Sequence, residues 1–257
     1  MLRSYMSVVL CISLLACGES DSSDGGTPEA DAAMSDTAPE QTVSIRYTAR
    51  NAQTDELITD AEICVDGREC MTADEDGVVV LDFVVGSRVG VSAKAGGYTT
   101  ARGIGIVPET DLSEYSLPLI LDGVVSLLGT KAGVESLDAE KGHVAFLAVY
   151  PGDEVDGEKE GISMTIEPAG DGVGPKYVME GDVIELLAGD LYDETLMATT
   201  NSGAANYFNV TPGTYNLSLT GADGCEPFFG IENADGTVEF DIKANEMTYL
   251  LLTCEQE

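Results

Sequence analysis

Basic residues are scarce in this 257-residue sequence, where 12 lysines and arginines stand against 46 aspartates and glutamates and the formal net charge is −34. A surface this acidic repels phosphate groups, which argues against binding nucleic acid or anionic lipid through the folded surface. The acidic residues are spread along the chain. That distribution favours a role in solubility over a dedicated cluster for divalent cations.

Histidine is limited to His143, and tryptophan is absent. A zinc site with two histidine ligands is therefore excluded. The sequence also does not identify a nucleophile, a base and an orienting residue that would form a serine triad. His143 opens an apolar run, where a structural histidine is the commoner finding. Without tryptophan the familiar flat platform for stacking sugars is not evident, although Tyr98, Tyr207 and Phe228–Phe229 could supply rings. The sequence predicts no catalytic residues, no cofactor and no enzyme activity.

Calcium is the cofactor that the acidic residues bring into question. The run TADEDGVVVLDF (72–83) places acidic residues at the third and fifth positions of an EF-hand loop. Its first and twelfth positions are Thr72 and Phe83, whereas the twelfth requires a bidentate glutamate. A hairpin turn explains this run better, and the acidic run 151–161 is more typical of a solvated loop. No metal site is predicted.

The N-terminal residues have the pattern of an export signal. Arg3 is the only charged residue among the first sixteen, and the apolar run 8–15 is too short to span a hydrocarbon core of about 30 Å as a helix. The string LLAC (14–17) resembles the lipobox of bacterial lipoproteins. This resemblance implies cleavage after residue 16 and lipid attachment to Cys17, and an ordinary secretory signal is the alternative.

An acidic spacer follows, in which residues 18–41 include seven acidic and no basic residues. Such a segment buries too little apolar surface to offset its ordering entropy, so residues 17–41 are expected to form a disordered linker behind the lipid. An aspartate after the lipidated cysteine would resemble the inner-membrane retention signal. Gly18 stands there instead, which favours the outer membrane of a Gram-negative bacterium.

Four cysteines remain once Cys11 is assigned to the signal and Cys17 to the lipid. An exported compartment favours disulfides, and four cysteines allow three connectivities. One connectivity keeps each bridge within one half of the chain. It joins Cys64 to Cys70 and Cys225 to Cys254.

Short β-rich runs separated by Gly, Asp, Asn and Pro predict an all-β sandwich. The predicted strands are 43–50, 61–65, 78–84, 88–94, 99–106 and 115–121 in the first half, and 143–150, 162–168, 175–179, 204–210, 214–220, 237–242 and 247–254 in the second. Pro118 predicts an edge position for its strand. Between the halves, apolar residues at helical spacing predict a short helix with Asp122 as N-cap and Gly133 at its end, or alternatively an irregular connection.

The two halves repeat one turn-and-strand pattern. In each, a threonine leads into a tight turn closed by Gly77 or Gly203, and a strand, a second turn and another strand follow. The segments AEICV (61–65), TADEDG (72–77) and Gly97-Tyr98 resemble carboxypeptidase regulatory-like domains. The segments TTNSG (199–203) and NVTPGTY (209–215) are similar in the second half.

This resemblance implies two tandem Greek-key sandwiches of the transthyretin-like, prealbumin type, at residues 42–122 and 143–257, with a helix or linker at 123–142. The whole arrangement is similar to lipoproteins of myxobacteria. We therefore expect a lipid-anchored, non-catalytic binding or structural protein whose partners are the bilayer and a surface protein, peptide or polysaccharide. The alternatives are an accessory subunit that tethers an exported peptidase or polysaccharide-degrading enzyme, and a calcium-stiffened adhesin.

Overall fold

A computed structural model describes residues 40–110, 115–150, 159–181, 186 and 188–255. The predicted signal peptide, Cys17 and nearly all of the acidic spacer therefore lie outside the described residues. So does most of the acidic run 151–161. Within the described ranges, no helix has the length and apolar character needed to cross a membrane.

The regular secondary structure of the described residues is almost entirely β-strand. In chain order these are β1 (Thr42–Asn51), β2 (Glu62–Val65), β3 (Met71–Thr72), β4 (Val78–Val84), β5 (Arg88–Lys94), β6 (Tyr98–Ile106), β7 (Tyr115–Leu121), β8 (Gly142–Val149), β9 (Ser163–Glu167), β10 (Val173–Tyr177), β11 (Ala204–Val210), β12 (Gly213–Thr220), β13 (Cys225–Phe229), β14 (Ile231–Glu232), β15 (Val238–Ile242) and β16 (Glu246–Cys254), with helix α1 (Asp122–Lys131) after β7. The all-β prediction is confirmed. Strands β3, β13 and β14 were not predicted.

The strands of the described residues form two sheets. The larger has the strand order β10-β11-β8-β16-β6-β5-β2-β3, with β13 paired to β16 and an arm of β4, β1 and β7 joined to β6 through β7. The smaller has the order β14-β15-β12-β9. Strand β6 from the first half pairs in parallel with β16 from the second, where Thr100–Arg102 lie beside Glu246–Thr248. Strands of both halves thus share one sheet.

The central part of the larger sheet, around β16, is buried on both faces. Leu250 and Leu252 of β16 lie in one core with residues of β9, β12 and β15. Leu251, which points the other way, lies in a second core with residues of β1, β4 and β7. The smaller sheet therefore covers one face and the β4–β1–β7 arm covers the other, which is why β16 has a continuous apolar run instead of strict alternation.

Each half also contributes to the core of the other. Ile104 of β6 lies in the core under the smaller sheet, and Phe229 of β13 lies in the core under the β4–β1–β7 arm. The sequence predicts two separate sandwiches, whereas this structure has two cores on either side of a shared sheet. Parallel pairing between strands distant in the chain leaves no local sequence signal. The division at residues 42–122 and 143–257 stays a prediction.

Helix α1 lies where the short helix is predicted, but its start differs. Asp122 is the first helical residue and Leu121 occupies the N-cap, with no side-chain cap. The Asp122 carboxylate instead accepts a hydrogen bond from Thr99 Oγ1 at 2.9 Å. Gly133 follows the C-cap with φ of 85°. The edge position predicted for the strand of Pro118 is wrong, because β7 pairs with β1 on one side and, at Ile120 and Leu121, with β6 on the other.

Candidate functional site

Both disulfides have the connectivity that keeps each bridge within one half. Cys64 and Cys70 are joined at the end of the β2–β3 hairpin. Cys225 and Cys254 are joined where β13 and β16 begin their antiparallel pairing. The first bridge closes a loop between neighbouring strands, and the second fixes the end of a strand in the middle of the larger sheet.

The run 72–83 forms a turn that uses its own carboxylate. Asp74 Oδ1 accepts hydrogen bonds from the backbone N–H groups of Asp76 and Val78, at 3.0 and 2.9 Å. Gly77 closes the turn with φ of 75°, a conformation that glycine adopts at little cost. In the described part of the chain, no three His, Cys, Asp or Glu side chains converge as a metal ion requires.

His143 is held as a neutral, buried side chain. It is 3% exposed, and its Nδ1 accepts the backbone N–H of Asn209 at 3.2 Å. Burial lowers the pKa of His143 to about 4. The imidazole is therefore neutral near pH 7 and one of its nitrogens is occupied, so this histidine has the structural role expected from its place on an apolar strand.

The aromatic side chains proposed for stacking do not assemble into a platform. Tyr207 is 4% exposed and belongs to the core. The Tyr98 hydroxyl is 3.2 Å from Asn51 Nδ2, which donates to it. Phe228 stacks on Tyr115 with ring centroids 4.9 Å apart, and Phe229 is buried. A cavity of about 30 Å³ lies between Tyr115, Phe229 and strands β5 and β6, and it has room for water rather than an organic ligand.

The most unusual group of side chains lies where β6 meets β16. We call Asp66, Arg102, Lys243 and Glu246 the junction cluster. Arg102 of β6 is 1% exposed, and its Nη1 and Nη2 donate to Asp66 Oδ1 and Oδ2 at 3.2 and 2.5 Å. Lys243 Nζ donates to Asp66 Oδ1 as well. Glu246 Oε2 lies 4.0 Å from Arg102 Nε.

Local backbone geometry creates room for this cluster. Asp66 directly follows β2, and its N–H donates to the carbonyl of Gly90 on β5 at 3.0 Å. A Cβ added at Gly90 would overlap the Asp66 carboxylate and lie 2.5 Å from Arg102 Nη2. The ion pair therefore crosses β5 at a glycine, where a side chain would push the Asp66 carboxylate and the Arg102 guanidinium out of their present positions.

The two carboxylates of the cluster titrate in opposite directions. Burial on its own would raise the pKa of Asp66, but hydrogen bonds and charge from Arg102 and Lys243 outweigh it and hold that pKa below 3.8. Burial raises the pKa of Glu246 above 4.5 in spite of Arg102 and Lys243. Arg102 Nε and Glu246 Oε2 are buried and lack a hydrogen-bond partner among the described residues. Asp66 is thus the main counter-ion of the buried guanidinium.

A second set of ion pairs continues the junction along β5. Arg88 Nη2 contacts Asp241 Oδ2 of β15 at 3.0 Å, and Arg88 Nη1 contacts Glu239 Oε1. Together with Arg102 and Lys243, Arg88 brings three of the twelve basic residues of the chain to this one boundary. The arrangement has no nucleophile or free base, and what it can do is fix the orientation of the two halves.

Sequence reasoning did not find this site. Arg102 lies in a correctly predicted strand, yet nothing in ARGIGI marks the arginine as buried. Asp66 follows β2, Lys243 lies in the turn before β16 and Glu246 is the first residue of β16. Asp66 and Lys243 are 177 residues apart in the chain. The usable signal was the scarcity of basic residues. In a chain with 12 basic and 46 acidic residues, an arginine within a predicted strand indicates a specific ion pair.

No family model matches the sequence, and the search of curated proteins finds no match either. Among solved structures, the shaft pilin SpaA from Lactobacillus rhamnosus GG is 11% identical with a TM-score of 0.27, over 84% of this chain and 99% of that one. GBS52, the minor pilin of Streptococcus agalactiae, is 10% identical with a TM-score of 0.27, over 84% and 96%.

The Bacillus anthracis TIE protein is 13% identical with a TM-score of 0.25, over 83% of this chain. The match spans 34% of the TIE protein and 63% of a streptococcal ancillary pilin. TM-scores of this size do not establish a shared overall fold.

Proposed function

We propose that this protein is a lipid-anchored structural or binding protein of the cell envelope, without catalytic activity, whose two β-sandwich halves act as one stiff unit. The observation that carries the proposal is the joining of the halves by β6–β16 pairing and by the junction cluster. A stiff body behind the acidic segment that the sequence predicts to be a disordered linker would present its end loops to a surface protein, peptide or polysaccharide at a distance from the bilayer.

The energetics support a stiff junction. Separating the halves would expose Ile104 and Phe229, at a cost of about 1.5–3 kcal/mol for each large apolar side chain. It would also pull Lys243 and Glu246 away from Arg102 and Asp66. If the halves moved as independent domains about a hinge, the buried arginine would lose its partners each time they separated. An unpaired buried charge costs several kcal/mol, which disfavours such a hinge.

The anchor and the family are further parts of the proposal. The lipobox resemblance supports acylation of Cys17 and retention at the outer membrane, facing the periplasm or the exterior. The turn-and-strand resemblance supports membership of the carboxypeptidase regulatory-like group, with sandwiches of the transthyretin-like type. Both rest on sequence alone.

The anchor is tested by comparing the full-length wild type with Cys17→Ser, and with Cys11→Ser as the matched control in the same signal. We expect the wild type and Cys11→Ser to fractionate with membranes and to give an acylated N-terminal peptide at Cys17 in mass spectrometry. Cys17→Ser should lose both properties. Wild-type protein that is soluble and unprocessed would contradict the anchor.

The function is tested by crosslinking intact cells and recovering the wild-type protein from the membrane fraction. We expect a surface protein or polysaccharide in the recovered material, and no turnover of peptide or glycan substrates by the purified protein. An exported enzyme recovered in stoichiometric amounts would assign the accessory role instead. A rise in melting temperature with millimolar calcium would favour the adhesin.

A further inference from the structure

The loop at residues 65–69 is closed at both ends by the Cys64–Cys70 disulfide. The β2–β3 ladder pairs Glu62 with Thr72 and Ile63 with Met71, and the disulfide takes the next position of the same register. Beyond it, the Arg68 N–H donates to the Val65 carbonyl at 2.9 Å. With only two ladder pairs to β2, strand β3 and the Cys70 side of the loop depend on this bridge, whereas β2 and Asp66 are also bonded to β5.

Two charged side chains of this loop reach in different directions. Asp66 binds Arg102 and Lys243 of the junction cluster. Arg68 Nη1 donates to the backbone carbonyl of Asp82 on β4 at 3.0 Å, and the Arg68 guanidinium lies 4.8 Å from the centre of the Phe83 ring. One five-residue loop therefore contacts the boundary between the halves and the β4–β1–β7 arm.

Strand β4 is an edge that needs such cover. In the described chain it pairs with β1 alone, and its sequence VVVLDFV is strongly apolar with Val80 49% exposed. An open apolar edge invites pairing with other chains. Local turns already use the carbonyls of Val78 and Val84, and Arg68 uses that of Asp82 between them.

The two disulfides differ in access. Cys70 is exposed and Cys64 is half-buried, whereas Cys254 is 1% exposed. The short bridge also closes only six residues of separation, against 29 for Cys225–Cys254. A short loop constrains the unfolded chain less, so the Cys64–Cys70 bridge contributes more to local order than to overall stability.

We propose that the Cys64–Cys70 loop is a redox-sensitive latch, which in its oxidised form fixes both the junction cluster and the β4 edge. The reductant is a dithiol. Its thiolate attacks the Cys70 sulfur, the Cys64–Cys70 bond breaks, and its second thiol resolves the mixed disulfide. Two electrons and two protons pass to the protein, which gains two thiols, and the reductant leaves as a disulfide.

Release of the loop acts at both contacts. The Asp66 backbone keeps its hydrogen bond to Gly90, but once the Cys70 side of the loop moves, the Asp66 side chain can turn away and leave the buried Arg102 guanidinium with Glu246 at 4.0 Å as its remaining counter-ion. Mobile Arg68 uncovers the β4 edge. The latch thus converts one thiol–disulfide exchange into a looser boundary between the halves and a strand edge that is open to pairing. This inference goes beyond the proposed function and does not depend on the lipid anchor.

The first experiment applies a limiting dithiol to the full-length protein and maps free thiols by alkylation and mass spectrometry. We expect Cys64 and Cys70 to be alkylated before Cys225 and Cys254. Simultaneous labelling of all four cysteines, or earlier labelling of the second pair, would overturn the latch.

The second experiment follows backbone hydrogen exchange in the same partly reduced protein, at constant pH. We expect exchange about tenfold faster in β4 and in the paired segments of β6 and β16, with β12 unchanged. No change at the first two reporters, or a rise at one of them alone, overturns the proposal. So does an equal rise in β12, since the bridge would then stabilise the whole fold.

Single side-chain variants separate the two contacts without touching the bridge. Asp66→Asn should accelerate exchange at β6 and β16 more than at β12, where the loss of overall stability sets the baseline, and Arg68→Gln should accelerate exchange at β4, while the neighbouring Glu69→Gln serves as the matched control and should change neither. The double variant Cys64→Ser/Cys70→Ser should reproduce both effects. If that variant does not fold, partial reduction of the wild type still decides the question.

Discussion

At the scale of single residues, the buried guanidinium of Arg102 depends most on Asp66. The two partners of this pair sit in unequal surroundings, because the Arg102 side chain is 1% exposed and that of Asp66 is 44% exposed. Removing either one therefore has unequal consequences. Loss of Asp66 strands a buried cation, whereas loss of Arg102 leaves a carboxylate that water and Lys243 still solvate.

Asp66→Asn should accordingly lower the free energy of unfolding by about 2–4 kcal/mol, and Arg102→Met should lower it by less, on the order of 1 kcal/mol. Urea unfolding at pH 7 measures both. Asp76→Asn, an exposed carboxylate in the 72–77 turn, is the control and should stay within about 0.5 kcal/mol of the wild type. A larger loss for Arg102→Met than for Asp66→Asn would contradict this account.

His143 supplies a prediction on pH. Its folded pKa of about 4 is below its unfolded value of 6.5, so the unfolded chain binds more protons between these two values. The stability due to neutral His143 is then present above pH 6.5 and is lost as pH falls towards 4, by up to roughly 3 kcal/mol.

The measurement compares the wild type with His143→Asn, which keeps a side-chain oxygen for the Asn209 N–H but does not titrate. The difference in unfolding free energy between the two proteins isolates the histidine, because the carboxylates titrate alike in both. The wild type should lose more stability than the variant between pH 7 and pH 5. Parallel profiles would show that His143 is not the titrating group.

At the scale of elements, two glycines of β6 differ in the space that a side chain would have. A Cβ at Gly103 would lie 2.7 Å from two ring atoms of Phe229, whereas the nearest atom to a Cβ at Gly105 is the Phe228 carbonyl oxygen at 4.0 Å. Neither glycine has a positive φ. The difference between the two positions is therefore one of packing alone.

Gly103→Ala should lower the free energy of unfolding by about 1–3 kcal/mol, because the buried Phe229 ring must move out of its place in the core. Gly105→Ala, two residues along the same strand, should be neutral or stabilise slightly, since alanine loses less conformational entropy on folding. Thermal or urea unfolding of the pair decides this. Equal losses at both positions would mean that Phe229 can readjust.

Elements with a strong local pattern were predictable from the sequence, and the contacts between them were not. Runs such as VSIRYTAR identify strands through their apolar alternation and bounding turns. The two-residue strands β3 and β14 are too short to have a period, and Pro227 masks β13. The cysteine pairing was favoured by proximity in the chain. The junction cluster was not predictable, because its side chains lie on three separate segments that meet only after the sheet has formed.

At the scale of the whole molecule, the shared sheet bears on whether the halves unfold together. The ladder between β6 and β16 is only three residues long, and would be a weak link by itself. The core contacts strengthen it, since Ile104 is a residue of the first half buried with Tyr215 and Leu217 of β12 in the second. Removing the first half would therefore expose apolar surface in the second.

We expect one cooperative unfolding transition in urea, with hydrogen exchange of β5 and of β12 reporting the same midpoint. The sharper comparison uses Ile104→Ala, which should destabilise β12 by about 2–4 kcal/mol although residue 104 belongs to a first-half strand. Ile63→Ala, buried in the first core, is its matched comparison: with one transition it should lower the stability reported by β12 as much as that reported by β5, whereas uncoupled halves would leave β12 unchanged. Two separate midpoints, with Ile104→Ala shifting β5 alone, would show that three backbone pairs and a charge cluster do not couple the halves. The tandem-domain division at 42–122 and 143–257 would then describe the molecule better than a shared sheet.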